Sequence, residues 1–371
     1  MRIIIAVLLL AVFSVNAAGA EPPTLHELGL KGISLAHDMQ FKEADKVFDE
    51  MIRIEPENAF GYLLKISSLR LIAEIKGVGG EQDDVYKDLT LKTIRVAEDM
   101  LKKNEDDVDA IFYLGCAYGT LGIYYTNTAS WLRAYWNGRK GKNYLLEVVE
   151  KDPDYYDAYI GLGMYHYFAD VLPEIIKPLS FLLGIEGNRE KAIEELTLAS
   201  SKSIYSKGSA KYFLAKSVYL KEGNYEAAFP LYQQLLADCP NNHFLRTQYA
   251  ICCRNLKKYD LSIQIIKKSI QSKKLGEYEY LRSLLYYNLG KTYSELKEFD
   301  QAIQAYKKAY EISRLKQGKK TPVYADSLFS LGETYEEMGS IDKAREYYLM
   351  IKNSDDKDLY EEARERIILL R

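Results

Sequence analysis

The sequence predicts an all-α protein, a right-handed solenoid of about eight helical hairpins with two enlarged hairpins and a C-terminal capping helix. Three observations predict it. Large and small residues recur together at fixed offsets along most of the chain. The 371 residues are 28% charged and 47% hydrophobic, a balance that supports packed structure rather than disorder. Each hairpin has an apolar face that only the next hairpin can cover, so residues 21–371 are expected to stack as one array.

Residues 1–20 read as an export signal. Arg2 gives the positive start, Ile3 to Val15 the apolar stretch, and Ala18-Gly19-Ala20 a small-residue cleavage site. The apolar run is shorter than the ~20 residues a membrane span needs. An exported chain, periplasmic or secreted, is the expectation.

The repeats then follow in order. Gly32, Phe41, Ala44, Phe48 and Pro56 mark the first hairpin. Residues 59–104 fit loosely, with KGVGGEQDD separating two helices. Leu114, Gly115 and Tyr118 open a third unit, closed by Gly141 and Pro153; Leu162 and Gly163 open a fourth, closed by Ala192, Leu196 and Ala199. The most regular units fill 201–355. They run through Leu214, Ala215, Ala228 and Tyr232, then Tyr249, Ala250 and Ser262, then Leu289, Gly290, Ala302 and Tyr306, then Leu331, Gly332, Ala344 and Tyr348. In residues 356–371, Leu359, Ala363, Ile367 and Leu370 share one stripe, suited to cover the last unit.

This combination resembles the tetratricopeptide-repeat superfamily, in which small residues let two antiparallel helices approach while large ones fill the gaps. The resemblance covers most of residues 21–371 and implies a protein-recognition groove lined by the first helix of each pair.

Two hairpins are oversized within residues 105–200. Repeats of this kind separate the first-helix Leu from the second-helix small residue by ~13 positions. Leu114 to Gly141 exceeds that by about fourteen and Leu162 to Ala192 by about seventeen. The first excess has helical composition, so both helices should lengthen. The second, the apolar stretch 171–185, contains Pro173 and Pro178 and cannot be one uninterrupted helix. Its favoured reading is internal, packed against Trp131, Leu132, Tyr135, Trp136 and Leu145. A lid over the groove is a second reading. A third is a patch for a partner or membrane surface built from 165–192 and the basic helix 133–142, with Arg133, Arg139, Lys140 and Lys142. This block resembles that of bacterial exported tetratricopeptide proteins of undefined role and, more distantly, eukaryotic inclusion-body-clearance proteins.

Little in the sequence points to chemistry. Lys and Arg number 50 against 53 Asp and Glu, a net charge of −3, which gives no reason to expect a nucleic-acid partner. The Gly-Lys-Thr of LGKTY (289–293) lacks the glycine a phosphate loop needs five residues earlier, where Leu285 stands. Cys239, His243, Cys252 and Cys253 do not sit at converging helix positions, so no metal and no cofactor are expected, and the cysteines read as free thiols. His166 takes a packing position and reads as a core residue. The chain is expected not to be an enzyme.

Function should then sit in the groove. The inward positions are Phe112, Met164, Tyr167, Phe168, Tyr212, Lys216, Tyr219, Phe244, Arg254, Tyr287, Lys291 and Phe329, with Ile251 and Leu284 between them. Aromatic residues with Lys and Arg suit protein recognition. The competing reading is that tight curvature buries some of them. Clamps for a C-terminal carboxylate use Lys and Asn, and Tyr212, Tyr287 and Phe329 depart from that. A protein or peptide is the expected partner, with membrane-surface contact as the alternative.

Overall fold

The computed structural model describes residues 23–77, 83–171, 187–314, 322–352 and 356–370. The export-signal reading at 1–20 lies outside them, as does nearly all of the 171–185 stretch. Among the described residues there are seventeen α-helices and no strand. They pair as α1 (Leu25–His37) with α2 (Phe41–Ile54), α3 (Ala59–Lys76) with α4 (Asp83–Lys103), α5 (Val108–Asn127) with α6 (Trp131–Lys151), and α7 (Ala158–Asp170) with α8 (Arg189–Lys202). Next come α9 (Lys207–Phe213, continuing as a π-helical turn over Leu214–Leu220) with α10 (Tyr225–Asp238), and α11 (His243–Asn255) with α12 (Tyr259–Ile270). The last pairs are α13 (Glu279–Glu295) with α14 (Phe299–Ser313) and α15 (Pro322–Glu337) with α16 (Ile341–Leu349), before α17 (Lys357–Leu369).

One packing rule repeats along the stack. A β-carbon on Gly290 would stand 2.5 Å from the ring of Tyr306, sixteen residues later. Gly32 meets Phe48 and Gly332 meets Tyr348 at that same spacing. In α5 and α6 the pair is Gly115 and Leu145; in α7 and α8 it is Gly163 and Leu196. Spacings of thirty and thirty-three there restate the excesses of about fourteen and seventeen. The first is absorbed as expected, since α5 and α6 run 20 and 21 residues. The loosely fitting 59–104 segment is also a long hairpin, of 18 and 21 residues.

The turns inside the hairpins share one geometry. Met39, Ala129, Lys257 and Lys297 take left-handed backbone, as do Gly77, Gly223 and Gly339. The amide after the turn residue then reaches back five residues, as Lys258 N does to the carbonyl of Cys253 (2.8 Å) and Ser340 N to that of Tyr335 (2.8 Å). This is the helix-ending arrangement glycine favours, yet four of these positions hold other residues.

First helices neighbour one another along an inner layer, α3 against α1 and α5, α13 against α11 and α15. The curvature is tight enough for the first two hairpins to meet the fifth to seventh. Asp38 accepts from Asn241 N and Nδ2, each at 2.9 Å. Asn242 Nδ2 donates to the carbonyl of His37 at 2.6 Å, and His26 Nδ1 lies 2.6 Å from Tyr205 Oη. Lys42 lies 4.0 Å from Glu277, and Gly77 abuts the ring of Tyr280. The array is closed on itself.

Candidate functional site

Closure decides which inward positions are available. Phe60 stacks on Tyr113 and tilts against Tyr205, while Phe112 packs on Tyr155. The last turn of α3 reaches α9, where Glu74 accepts from Tyr212 Oη (2.9 Å) and pairs with Lys216. Lys216 in turn lies over the rings of Tyr212 and Phe244.

Several sequence expectations are corrected by this packing. Phe112, Tyr167, Phe244 and Phe329 are buried and serve as core rather than as a recognition surface. Tyr167 donates to the carbonyl of Ser217 (2.5 Å) within the π-helical turn, and Phe329 packs on Tyr348. Tyr212 and Lys216 are taken by Glu74. Met164 and Tyr219 are half-buried against the cluster of Tyr167, Leu196 and Val218. Phe168 is exposed, edge-on to Phe213 at the end of α7. Two causes act: Tyr212, Lys216 and Phe244 are covered where α3 meets the fifth hairpin, while Phe112, Tyr167 and Phe329 pack within their own or the next hairpin.

The inner face of α11, α13 and α15 carries a group of half-buried polar side chains. Arg254 Nη1 donates to Asn288 Oδ1 (3.1 Å), and its Nε lies 3.1 Å from Glu295. Lys291 lies over Tyr287 at 5.7 Å, and both are half-buried. On α15 two carboxylates flank Phe329, Asp326 three residues before it and Glu333 four after, so all three share one helix stripe. Both carboxylates are half-buried, and neither is within ion-pair distance of a cation among the described residues. Burial raises both above the usual carboxylate range; Asp356 adds to this at Asp326, while Lys291 opposes it at both sites. Sequence reading missed Asp326 and Glu333 because it sought aromatic and basic inward residues. Their offsets from Phe329 were the available signal.

The candidate chemical groups are packed. His166 Nδ1 lies 2.7 Å from Glu195 Oε2, both buried. His243 is buried and pushed down to about 4, by desolvation first and then by Arg246 and Lys274. Cys116, Cys239, Cys252 and Cys253 are free thiols whose burial raises them, Cys239 and Cys252 to about 11 and Cys253 to about 12. Among the described residues no three His, Cys, Asp or Glu side chains converge as metal ligands.

Comparison with known proteins agrees with this architecture. The tetratricopeptide-repeat family matches residues 241–315 and 281–351. DnaJ homolog subfamily C member 7 of Homo sapiens is 22% identical over 232 residues, 60% of this chain and 42% of that protein; its Mus musculus counterpart is 22% identical over 230 residues with the same coverage. A chain of the crystal structure of the APC/C hetero-tetramer Cut9–Hcn1 superposes with a TM-score of 0.53 at 19% identity, over 91% of this chain and 55% of that one. The chain thus spans about half or less of the length of these relatives, and the structural likeness concerns the fold. Residues 241–351 thus match the tetratricopeptide-repeat family, and the stacked hairpins of the array share the fold of its solved members.

Proposed function

We propose that the chain is a non-catalytic scaffold of the bacterial cell envelope that holds a peptide segment of a partner protein on the inner face of α11, α13 and α15. One observation carries the reading. Asp326 and Glu333 are partly desolvated carboxylates with no ion-pair partner among the described residues, a cost in the free protein that a partner's lysine or arginine would offset. Tyr287 and Lys291 beside them provide an aromatic platform and the opposite charge, which would fix the orientation of a bound segment. The repeat fold supports a role as a protein-interaction scaffold. The envelope assignment rests on the charge and hydropathy pattern of residues 2–20.

A photo-crosslinking residue at Tyr287, compared with one at Asp300 on the second helix of the same hairpin, tests the site in the native cell. Capture from position 287, lost when Asp326→Asn is combined with Glu333→Gln, is expected. The same partners captured from position 300 and unaffected by those changes would refute it.

A further inference from the structure

Beyond the peptide-binding reading, the structure points to a second surface, on the edge where first helices end and second helices begin. Six large apolar side chains are exposed there over three consecutive hairpins: Val85 at the start of α4, Trp131, Leu132 and Trp136 at the start of α6, and Phe168 and Val171 at the end of α7. The α5/α6 hairpin reaches furthest past its successor. At ~1.5 Å per residue its 20- and 21-residue helices are about 10 Å longer than the 13- and 14-residue helices of α7 and α8.

That arm is built to stay together. A β-carbon on Gly141 would lie 2.7 Å from Gly119 N and 2.8 Å from the carbonyl of Gly115, and one on Gly122 would lie 3.1 Å from Gly138 N. Backbone-to-backbone contact of this kind leaves the large side chains of the tip no place between the two helices. Trp131, Leu132 and Trp136 are accordingly 58%, 67% and 59% exposed.

Charge on the arm has one sign. From Ala110 to Leu146 the chain holds Arg133, Arg139, Lys140 and Lys142 and no acidic residue. Arg133 lies over the ring of Tyr125 and Arg139 Nη1 donates to Tyr135 Oη (2.8 Å), which leaves both guanidinium groups exposed next to the tryptophans. The acidic residues of this edge, Asp84, Asp88 and Asp170, belong to the flanking helices. Exposed Trp and Tyr beside Arg and Lys is the combination suited to the headgroup layer of an anionic bilayer, where the indoles enter the interface and the cations stay with the phosphates. No helix among the described residues is long and apolar enough to cross a membrane.

We propose that the tip of the α5/α6 hairpin docks the chain onto an anionic lipid surface through Trp131, Leu132, Trp136, Arg133 and Arg139. The test is unusually direct because Trp131 and Trp136 are the only tryptophans in the sequence. The full chain is titrated with phosphatidylcholine vesicles containing phosphatidylglycerol and with vesicles of phosphatidylcholine alone, reading tryptophan emission and flotation. The expected result is blue-shifted emission and flotation with the anionic vesicles, weakened by salt. Each arginine near the surface contributes about fivefold to binding, so Arg133→Gln with Arg139→Gln should bind roughly 30-fold more weakly. Trp131→Phe and Trp136→Phe each leave a single reporter and locate the shift. Emission already blue and protected from iodide without lipid would mean the chain covers its own patch; a shift that depends only on protein concentration would mean a second copy covers it. Either result overturns the proposal, as does equal binding to both vesicles or to neither.

Discussion

Replacing Glu74 with alanine probes the closure of the array at one point. The carboxylate sits in the last turn of α3 and bonds Tyr212 Oη at 2.9 Å while pairing with Lys216, 138 and 142 residues away. A hydrogen bond to a charged acceptor contributes about 1.5 kcal/mol or somewhat more. Glu74 and Lys216 side chains are each about a third exposed, at 30% and 33%, so their ion pair adds only about 0.5 kcal/mol. The loss should therefore be about 2 kcal/mol. Long repeat arrays need not unfold in one step, so the fitting assay is native-state hydrogen exchange. Amides of α1–α3 and α9 should lose roughly 30-fold in protection while α15 and α16 hold theirs. In a double-mutant cycle with Tyr212→Phe, a coupling near 1 kcal/mol is expected. Unchanged protection, or an equal loss in every helix, would show that the first hairpins are not held to the fifth by this contact.

Other perturbations test the packing and the titrations. Gly290→Ala gains about 1 kcal/mol of helix propensity but drives a methyl into the buried Tyr306 ring, for a net loss of about 1–2 kcal/mol in urea unfolding; equal or greater stability would contradict the packing rule. Lys297→Gly relieves left-handed backbone at φ 61° and should stabilise by about 1 kcal/mol in the same assay. His37 and His243 flank the contact between α1 and α11, and desolvation lowers both. The neutral forms are favoured in the fold, so this stability is present above pH 6.5 and is lost as pH falls toward about 4; thermal melts should show a slope across that window that shrinks in His243→Phe. Asp326 and Glu333 have the opposite sign. Their raised carboxyls cost stability at neutral pH, so Asp326→Asn with Glu333→Gln should raise the melting temperature while abolishing partner capture.

The hairpins were legible in the sequence because their packing is local. Gly290 and Tyr306 sit sixteen residues apart and report one helix-to-helix approach, and the separation of Leu114 from Gly141, about fourteen beyond the usual ~13, revealed the lengthened α5 and α6. Turn positions were less visible, since Met39, Ala129, Lys257 and Lys297 take the conformation that a glycine would have announced. Closure was illegible. Asp38 and Asn241 are 203 residues apart, and nothing in a single repeat sets the curvature that brings them together. For that reason Phe244, inward by register, is buried beside the Lys216–Glu74 contact, whereas the charged face of α15 went unnoticed because aromatic and basic positions were sought.

Closure is tested most directly on the unmodified protein with a zero-length carbodiimide crosslinker, which joins only amines and carboxylates already in contact. At concentrations low enough to keep crosslinks within one molecule, peptide mass spectrometry should find Lys42 joined to Glu277 and Lys216 joined to Glu74. Crosslinks confined to neighbouring hairpins, such as Lys65 to Asp49, with none spanning the first and later units, would mean an open spiral with its inner channel free.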